Sequence, residues 1–186
     1  MNIEELLAKW DAQKVEDLDK FKRCFPESDD LLAIVLRGHL LVEEYIDRLN
    51  RHCFHYPEYY DQAKFNFIRK LLIAKAQVLV PHANRDTFFD AIEKLNELRN
   101  NLAHTLESPR IEDKVLGFLA AVEDMYSGDS LIKEHLGIDC SIEKRTRAAI
   151  SFIMGQLNIL DIVVEFMEKS RVYGSNNREK GPEPNA

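Results

Sequence analysis

The chain has 186 residues, enough for one domain with a substantial core and short for two. Hydrophobic residues make up 45% and charged residues 31%, as in a globular protein with solvated helix faces. The net charge of −7 argues against a broad nucleic-acid-coating surface, which is normally basic, but leaves room for a small site that holds one phosphodiester.

The cysteine pattern and the N-terminus favour a cytoplasmic protein without membrane contact. Cys24, Cys53 and Cys140 are odd in number and form no C-x-x-C pair, so no disulfide framework or structural metal site is expected. The N-terminus lacks the basic and apolar regions of a signal peptide. No apolar stretch is expected to reach the ~20 residues that cross a bilayer.

The first half of the chain carries helical periodicity. Apolar residues recur every three or four positions over residues 3–21, which predicts an amphipathic helix. Ser28 is the predicted cap of a second helix over residues 31–52, with the following two aspartates in its first turn. Pro57 is well placed at the start of a third helix, predicted to run over residues 59–79.

The second half continues the helical pattern and ends in a polar tail. Only 7 glycines and 6 prolines occur, which favours long helices with short connections. The predicted elements are helices over residues 86–106, 109–126 and 142–171 and a short segment over 130–136, with Ser108 and Ser141 as caps. The sequence therefore predicts an all-α, up-and-down bundle of about five to six helices over residues 1–172, followed by a disordered tail over 173–186.

The clearest pointer to chemistry is the segment 99–104, Arg-Asn-Asn-Leu-Ala-His, near the end of the fourth predicted helix. Arginine is permanently charged and suits phosphate oxygens in two-point contact. Histidine titrates near neutral pH and can move a proton there. Arg99 and His104 can thus activate an RNA 2′-hydroxyl and stabilise the transition state without a metal, with Asn100 and Asn101 positioning the histidine or the phosphate.

Helix geometry complicates this site within one chain. At about 100° per residue, one apolar stripe of this helix contains Phe88, Leu95, Leu102 and Leu106, with Ile92 and Leu98 on its flanks. Arg99 lies inside this stripe, toward Ile92, and His104 lies on the opposite side. Either the arginine reaches around, or the helix ends near Leu102 and a loop redirects His104. A symmetric dimer that pairs this helix with its copy brings two arginines and two histidines together.

A purely structural interpretation of the same residues stays open. Arg-x4-His occurs by chance in many helical proteins, and asparagines are ordinary at a helix end. A histidine near a helix C-terminus also gains from the helix dipole without any function. His39 and Glu43, one turn apart, fit a structural hydrogen-bonded pair as well as a second shell, and Arg37 fits a solvated surface as well as the same cleft.

Residues 94–104, Lys-Leu-Asn-Glu-Leu-Arg-Asn-Asn-Leu-Ala-His, resemble the "LN-x-LRN-x-x-AH" form of the HEPN superfamily (higher eukaryotes and prokaryotes nucleotide-binding). Residues 37–45, Arg-Gly-His-Leu-Leu-Val-Glu-Glu-Tyr, are similar to the second-helix motif of that group. The resemblance implies a helical bundle that dimerises through its motif helices. In active members it implies metal-independent RNA cleavage, with His104 in acid–base work and Arg99 on the phosphate.

The resemblance also implies partners and an alternative. Many active members are toxins paired with an antitoxin, or parts of antiphage systems. Some carry a tyrosine two residues after the histidine that the antitoxin modifies, and this chain has Leu106 there. Other members are non-catalytic, among them mannitol-repressor-like regulators, so a helical regulator or adaptor that acts through protein partners is the alternative function.

Three further clusters each have a structural and a functional interpretation. The histidine–cysteine run of residues 52–55 is predicted to be a helix-end cluster rather than a zinc site. The basic group Lys144, Arg145 and Arg147 is either a solvated helix start or a contact for RNA or a partner. The tyrosine group Tyr56, Tyr59 and Tyr60 either packs a helix corner or stacks on bases.

Overall fold

A computed structural model describes residues 8, 12, 15–16, 19–25, 30–77, 85–104, 111–125 and 140–176, with the side chains of all of these except 104 and 169–176. These residues form an all-α bundle, as predicted, and contain no strand. Its helices are α1 (Leu31–Cys53), α2 (Pro57–Ala63), α3 (Phe67–Gln77), α4 (Arg85–His104), α5 (Ile111–Met125) and α6 (Ile142–Asn176), and residues 19–24 are also helical. The predicted cap Ser108 and the predicted segment 130–136 lie outside the described residues.

The start of α1 differs from the prediction. Asp30 is its N-cap, because the Asp30 carboxylate accepts hydrogen bonds from the backbone N–H groups of Leu32 (2.9 Å) and Ala33 (3.3 Å). The prediction that Asp30 lies in the first turn behind a Ser28 cap was therefore wrong. The side chain of Asp30, directly before the first helical residue, reaches the free backbone N–H groups of the first turn. A cap two residues earlier would leave these N–H groups without a hydrogen bond.

The predicted third helix is two helices. Lys64 ends α2 in a left-handed conformation with φ of 48°, and Asn66 starts α3 by accepting a hydrogen bond from the Arg69 N–H at 3.1 Å. The apolar periodicity continues across this break, so the sequence pattern did not reveal it. Pro57 does occupy the first turn of α2, as predicted.

The core is built around α1 and α6, which pack closely at Gly38. A Cβ atom at Gly38 would lie 2.7 Å from Cδ1 of Ile150, so only glycine permits this approach. Further along, Arg48 Nη2 donates to Asn158 Oδ1 at 3.3 Å. Because residue numbers increase in the same direction along both helices from the first contact to the second, α1 and α6 run parallel.

Helices α4, α5 and α6 follow one another in antiparallel pairs. Lys114 near the start of α5 lies 3.8 Å from Glu97 near the end of α4. Glu123 near the end of α5 lies 3.6 Å from Arg145 near the start of α6. Ser141 caps α6 as predicted, with its hydroxyl 3.4 Å from the Lys144 N–H. The helix continues to Asn176 and so extends past the predicted end near residue 171.

Contrary to expectation, one segment, Ile142–Glu168, is long and apolar enough to cross a membrane. That criterion uses length and composition only, and core helices meet it too. Within the segment, the carboxylate of Asp161 is buried. Its oxygens lie 2.6 Å from Arg48 Nε and 2.9 Å from His52 Nδ1, both in α1.

Candidate functional site

The predicted motif lies in the last two turns of α4, which is one continuous helix to His104. The predicted apolar stripe faces the core and is buried, with exposures of 0% to 6% for Phe88, Ile92, Leu95, Leu98 and Leu102. Leu106, the last predicted member of the stripe, lies outside the described residues. The stripe thus fixes the rotation of α4 and the direction in which its polar residues leave the helix.

The polar groups of the motif bond locally. Arg99 is half-buried, and its Nη1 donates to Asn100 Oδ1 at 2.9 Å. Asn101 is turned back, since its amide nitrogen donates to the backbone oxygen of Glu97 at 2.7 Å. The structure therefore brings Arg99 and Asn100 together and engages Asn101 with its own helix.

Because α4 includes His104, a helix end near Leu102 that redirects the histidine is excluded. Residues 99 and 104 are five positions apart on a regular helix, so they point in directions about 140° apart. The side chain of His104 lies outside the described part of the chain. A site that used both groups of one chain would require the Arg99 side chain to reach around the helix.

His39 packs against α4 directly beside Arg99. It is 3% exposed, its ring lies 4.3 Å from the ring of Phe67, and its Nε2 lies 3.1 Å from Asn96 Oδ1. Since a carboxamide oxygen only accepts, Nε2 carries the proton and Nδ1 is the acceptor. No hydrogen-bond partner for Nδ1 is found among the described residues.

The environment of His39 favours its neutral form. Burial lowers the pKa of His39, and the nearby charge of Arg99 acts in the same direction, against the opposing effects of Asn96 and Glu43. A histidine held neutral, with its proton donated to an amide, is suited to positioning α4 rather than to proton transfer. Asn96 was not among the predicted site residues, although a polar residue four positions after Ile92, at the edge of the apolar stripe, was a usable signal.

Glu43 has a different partner from the one expected. The ammonium group of Lys70 lies 2.8 Å from Glu43 Oε1 and 2.7 Å from Asp47 Oδ2, so the expected His39–Glu43 hydrogen bond does not form. Burial lowers the pKa of Lys70, but its hydrogen bonds to the two carboxylates outweigh this and raise the pKa overall. Arg37 is exposed and lies two positions from His39, on the opposite face of α1, away from the motif.

The tyrosine group divides between the two interpretations. Tyr60 is buried, donates to Asp47 Oδ1 at 2.7 Å and accepts from Asn50 Nδ2 at 3.0 Å, which is the helix-corner role. Burial raises the pKa of Tyr60 well above its usual value. Tyr56 and Tyr59 are two-thirds exposed. Beside Tyr60 lies an open pocket of about 210 Å³, lined in addition by Asp47, Arg51, Asp61, Lys64, Phe65 and Lys70.

Two of the three residues in the predicted basic cluster have structural partners. Arg145 pairs with α5, and Arg147 donates to the backbone oxygen of Phe25 at 2.6 Å with its guanidinium 5.0 Å from the Phe25 ring centre. Only Lys144 is exposed. The cluster therefore anchors α6 to α5 and to the segment before α1.

The histidine–cysteine run also serves the bundle. His52 pairs with Asp161, and burial, reinforced by Glu168 and Asp161, raises the pKa of Cys53 to about 11. His55 is exposed. Within the described ranges, no group of three His, Cys, Asp or Glu residues is arranged to hold a metal ion.

Comparison with protein-family models, with curated proteins and with solved structures gave no match for this chain. The remaining pointers to its function are the geometry of α4 and the motif that α4 carries.

Proposed function

We propose that this chain is a metal-independent endoribonuclease of the HEPN type, with Arg99 and His104 at a cleft between two copies of α4. In this proposal the protein is a cytoplasmic homodimer that acts as a toxin or defence component, together with an antitoxin or a regulatory protein. Arg99 contacts the phosphate, His104 transfers the proton, and Asn100 positions the substrate.

The observation that carries the proposal is the placement of Arg99 at the end of α4. Its guanidinium is half-buried and oriented by Asn100, as a permanent charge that receives a phosphate should be. Because His104 leaves the same helix about 140° away, each arginine is proposed to work with the histidine of the partner.

The surface beside the motif suits such a partner. Lys75 of α3 lies 3.1 Å from Glu93 of α4, and Arg85 at the start of α4 donates to the backbone oxygen of Lys75 near the end of α3, so the two helices are antiparallel. Ile68 and Leu72 precede Lys75 on α3 and therefore lie level with the turns of α4 that lead up to the motif. They are 44% and 54% exposed, an apolar surface that a second subunit would cover.

The test is cleavage of total RNA by the purified protein in EDTA. We expect fragments ending in 2′,3′-cyclic phosphate from the wild type and a loss of at least about 10²-fold for His104→Ala and Arg99→Ala. His55→Ala and Arg23→Ala are matched controls, because both side chains are exposed and lie outside the motif and outside α3. Equal cleavage by His104→Ala and the wild type would contradict the proposal.

A non-catalytic regulator or adaptor is the second candidate, and a specific observation favours it. The side chains of Arg99 and Asn101 both form hydrogen bonds within α4. Such local hydrogen bonds are also found at the ends of helices that have no catalytic role. In that case no variant cleaves RNA, and Arg99→Ala lowers the melting temperature. The ribonuclease predicts instead that Arg99→Ala remains folded and loses activity.

A further inference from the structure

A small open pocket lies at the corner of the bundle that α1, α2 and α3 form. Its volume is about 210 Å³, and none of its lining residues comes from α4. The lining combines two carboxylates, three cationic side chains and two aromatic rings. Pockets for drug-sized ligands have about 300–1,000 Å³, so this one suits a molecule of about ten non-hydrogen atoms.

The aromatic wall of the pocket is held in place by hydrogen bonds. Tyr60 is 6% exposed, and its hydroxyl donates to Asp47 Oδ1 at 2.7 Å. The other Asp47 oxygen lies 2.7 Å from the ammonium group of Lys70, which Glu43 also binds from outside the pocket lining. Phe65 is half-buried, with its ring centre 5.7 Å from that of Tyr60. The two rings thus supply an apolar surface, while the charges of Asp47 and Lys70 are already compensated.

The other charged lining residues leave positive groups without a described partner. Arg51 contacts Asp61 through Nε at 2.9 Å and Nη2 at 2.8 Å, but both contacts are with the same oxygen, Oδ1. Nη1 of Arg51 has no partner among the described residues. Lys64 is exposed, and no ion pair or hydrogen bond of its ammonium group is found in the described part of the chain. Since Asp61 compensates Arg51, Lys64 gives the lining one uncompensated positive charge.

The backbone makes lysine an unusual residue at this position. Lys64 is the C-cap of α2 and adopts the left-handed region with φ of 48°, where glycine is favoured. A glycine would form the same turn with less strain, but it would remove the uncompensated charge from the pocket. A role for the ammonium group in binding accounts for a lysine here, which the turn alone does not.

These features select a small aromatic carboxylate as the ligand. A carboxylate carries one charge, and guanidinium and ammonium groups bind it through charge-assisted hydrogen bonds. A phosphate monoester carries about −1.5 to −2 charges at pH 7, which is more than one uncompensated cation balances beside two carboxylates. An aromatic ring on the ligand would pack against the rings of the wall in an offset or edge-to-face arrangement.

RNA fits the same place less well. A phosphodiester also carries one charge, but a nucleotide has about twice as many non-hydrogen atoms as a pocket of this volume suits. Single-stranded nucleic acid requires a positively charged groove that follows its backbone. Glu58 and Asp61 are instead exposed on α2, in a chain of net charge −7.

We propose that this pocket is a binding site for a small aromatic carboxylate. Lys64 and Arg51 bind the carboxylate group of the ligand at the rim. The ring of the ligand packs against Tyr60 and Phe65. Because no residue of α4 lines the pocket, the proposal does not depend on the proposed ribonuclease.

The test is a titration of the full chain with sodium benzoate at constant ionic strength, followed by two-dimensional amide NMR. We expect saturable shifts at the backbone amides of residues 60–65, with a dissociation constant of about 10 mM or tighter for a ligand of this size. Benzamide has the same ring without the charge, and acetate has the charge without the ring. Both should bind at least about threefold more weakly than benzoate.

Variants of Lys64 test whether its charge binds the ligand. Lys64→Gln removes the uncompensated charge and should weaken benzoate binding at least about threefold. Lys64→Arg keeps the charge and should bind like the wild type. Lys144→Gln is the matched control, because Lys144 is exposed on α6 and outside the pocket, and it should also bind like the wild type. The helical CD signal and melting temperature check that each variant is folded.

Three results would overturn the proposal. One is the absence of a saturable shift with benzoate up to about 20 mM, a concentration that populates even weak complexes. Another is equal affinity of the wild type and Lys64→Gln for benzoate, which would place any binding elsewhere. The last is tighter binding of inorganic phosphate or uridine 5′-monophosphate than of benzoate, which would assign the pocket to phosphate or to nucleic acid.

Discussion

The buried pair of His39 and Asn96 connects α1 to the motif helix through one hydrogen bond of 3.1 Å. Burial holds the pKa of His39 below its ordinary value of 6.5, so the folded protein keeps this ring neutral. An unfolded chain binds the proton more readily. The hydrogen bond to Asn96 is thus formed by the neutral His39 ring, and acid should lower the free energy of unfolding.

The pH dependence of stability follows from this difference. Below pH 6.5 the unfolded state takes up a proton that folded His39 resists, so the free energy of unfolding should fall as the pH falls, by at most about 1.4 kcal/mol per pH unit from this group. Urea unfolding at pH 7.5 and pH 5.5 measures the effect. His39→Gln, which keeps a donor for Asn96, should lose less stability than the wild type over this interval.

Exposed His55 provides the control for that experiment. His55→Gln makes the same chemical change at an exposed position and should keep the pH dependence of the wild type. If His39→Gln and the wild type lost the same stability between the two pH values, the burial of a neutral His39 would be contradicted.

At the scale of the elements, Gly38 of α1 permits a close approach to Ile150 of α6. Gly38→Ala sets a methyl group 2.7 Å from Ile150 Cδ1, which should cost about 1–3 kcal/mol through overpacking, offset by up to about 1 kcal/mol of helix propensity. Gly155→Ala, on α6 with no neighbouring atom within 4 Å, should instead stabilise by about 0.5–1 kcal/mol. Chemical denaturation of both variants measures the difference in sign, and a stabilised Gly38→Ala would contradict the close packing.

The turn between α2 and α3 holds a lysine where glycine is favoured. Lys64 adopts a φ of 48° at the C-cap of α2, in the left-handed region that costs a non-glycine residue about 1 kcal/mol. Lys64→Gly should therefore raise the free energy of unfolding by several tenths of a kcal/mol, less the entropy that glycine adds to the unfolded chain. Lys64→Ala keeps the strain and removes the charge, so it should not stabilise. Equal effects of the two changes would attribute the result to the charge.

The same elements show what the sequence could predict. The apolar periodicity was sufficient for the helices and for the buried stripe of α4, because that signal is repeated over many residues. The break at Lys64 and Asn66 rests on one backbone conformation and one side-chain cap, which leave the periodicity intact. Likewise, the hydrogen-bond partner of His39 is Asn96, 57 positions later in the sequence, and not Glu43 in the same helix. Only the packing of α1 on α4 brings these two residues together.

At the scale of the whole molecule, the buried Asp161 connects α6 to α1 through Arg48 and His52. Asp161→Ala leaves the guanidinium of Arg48 partly buried without its carboxylate and should cost about 3–5 kcal/mol. Asp124→Ala, at an exposed position of α5, should cost less than about 0.5 kcal/mol. Urea unfolding of both variants measures this, and similar small losses would show that the pair contributes no net stability.

The proposed active site, if it is shared between two subunits, makes a prediction that only the assembled molecule can test. Because positions 99 and 104 diverge by about 140° on α4, each site takes Arg99 from one chain and His104 from the other. Arg99→Ala and His104→Ala proteins are then each inactive alone. After subunit exchange at equal amounts, half of the dimers are mixed and each holds one intact site, so about a quarter of the wild-type RNA cleavage should return. No recovery, with mixed dimers demonstrated by mass, would assign both groups to one chain and require the end of α4 to bend when RNA binds.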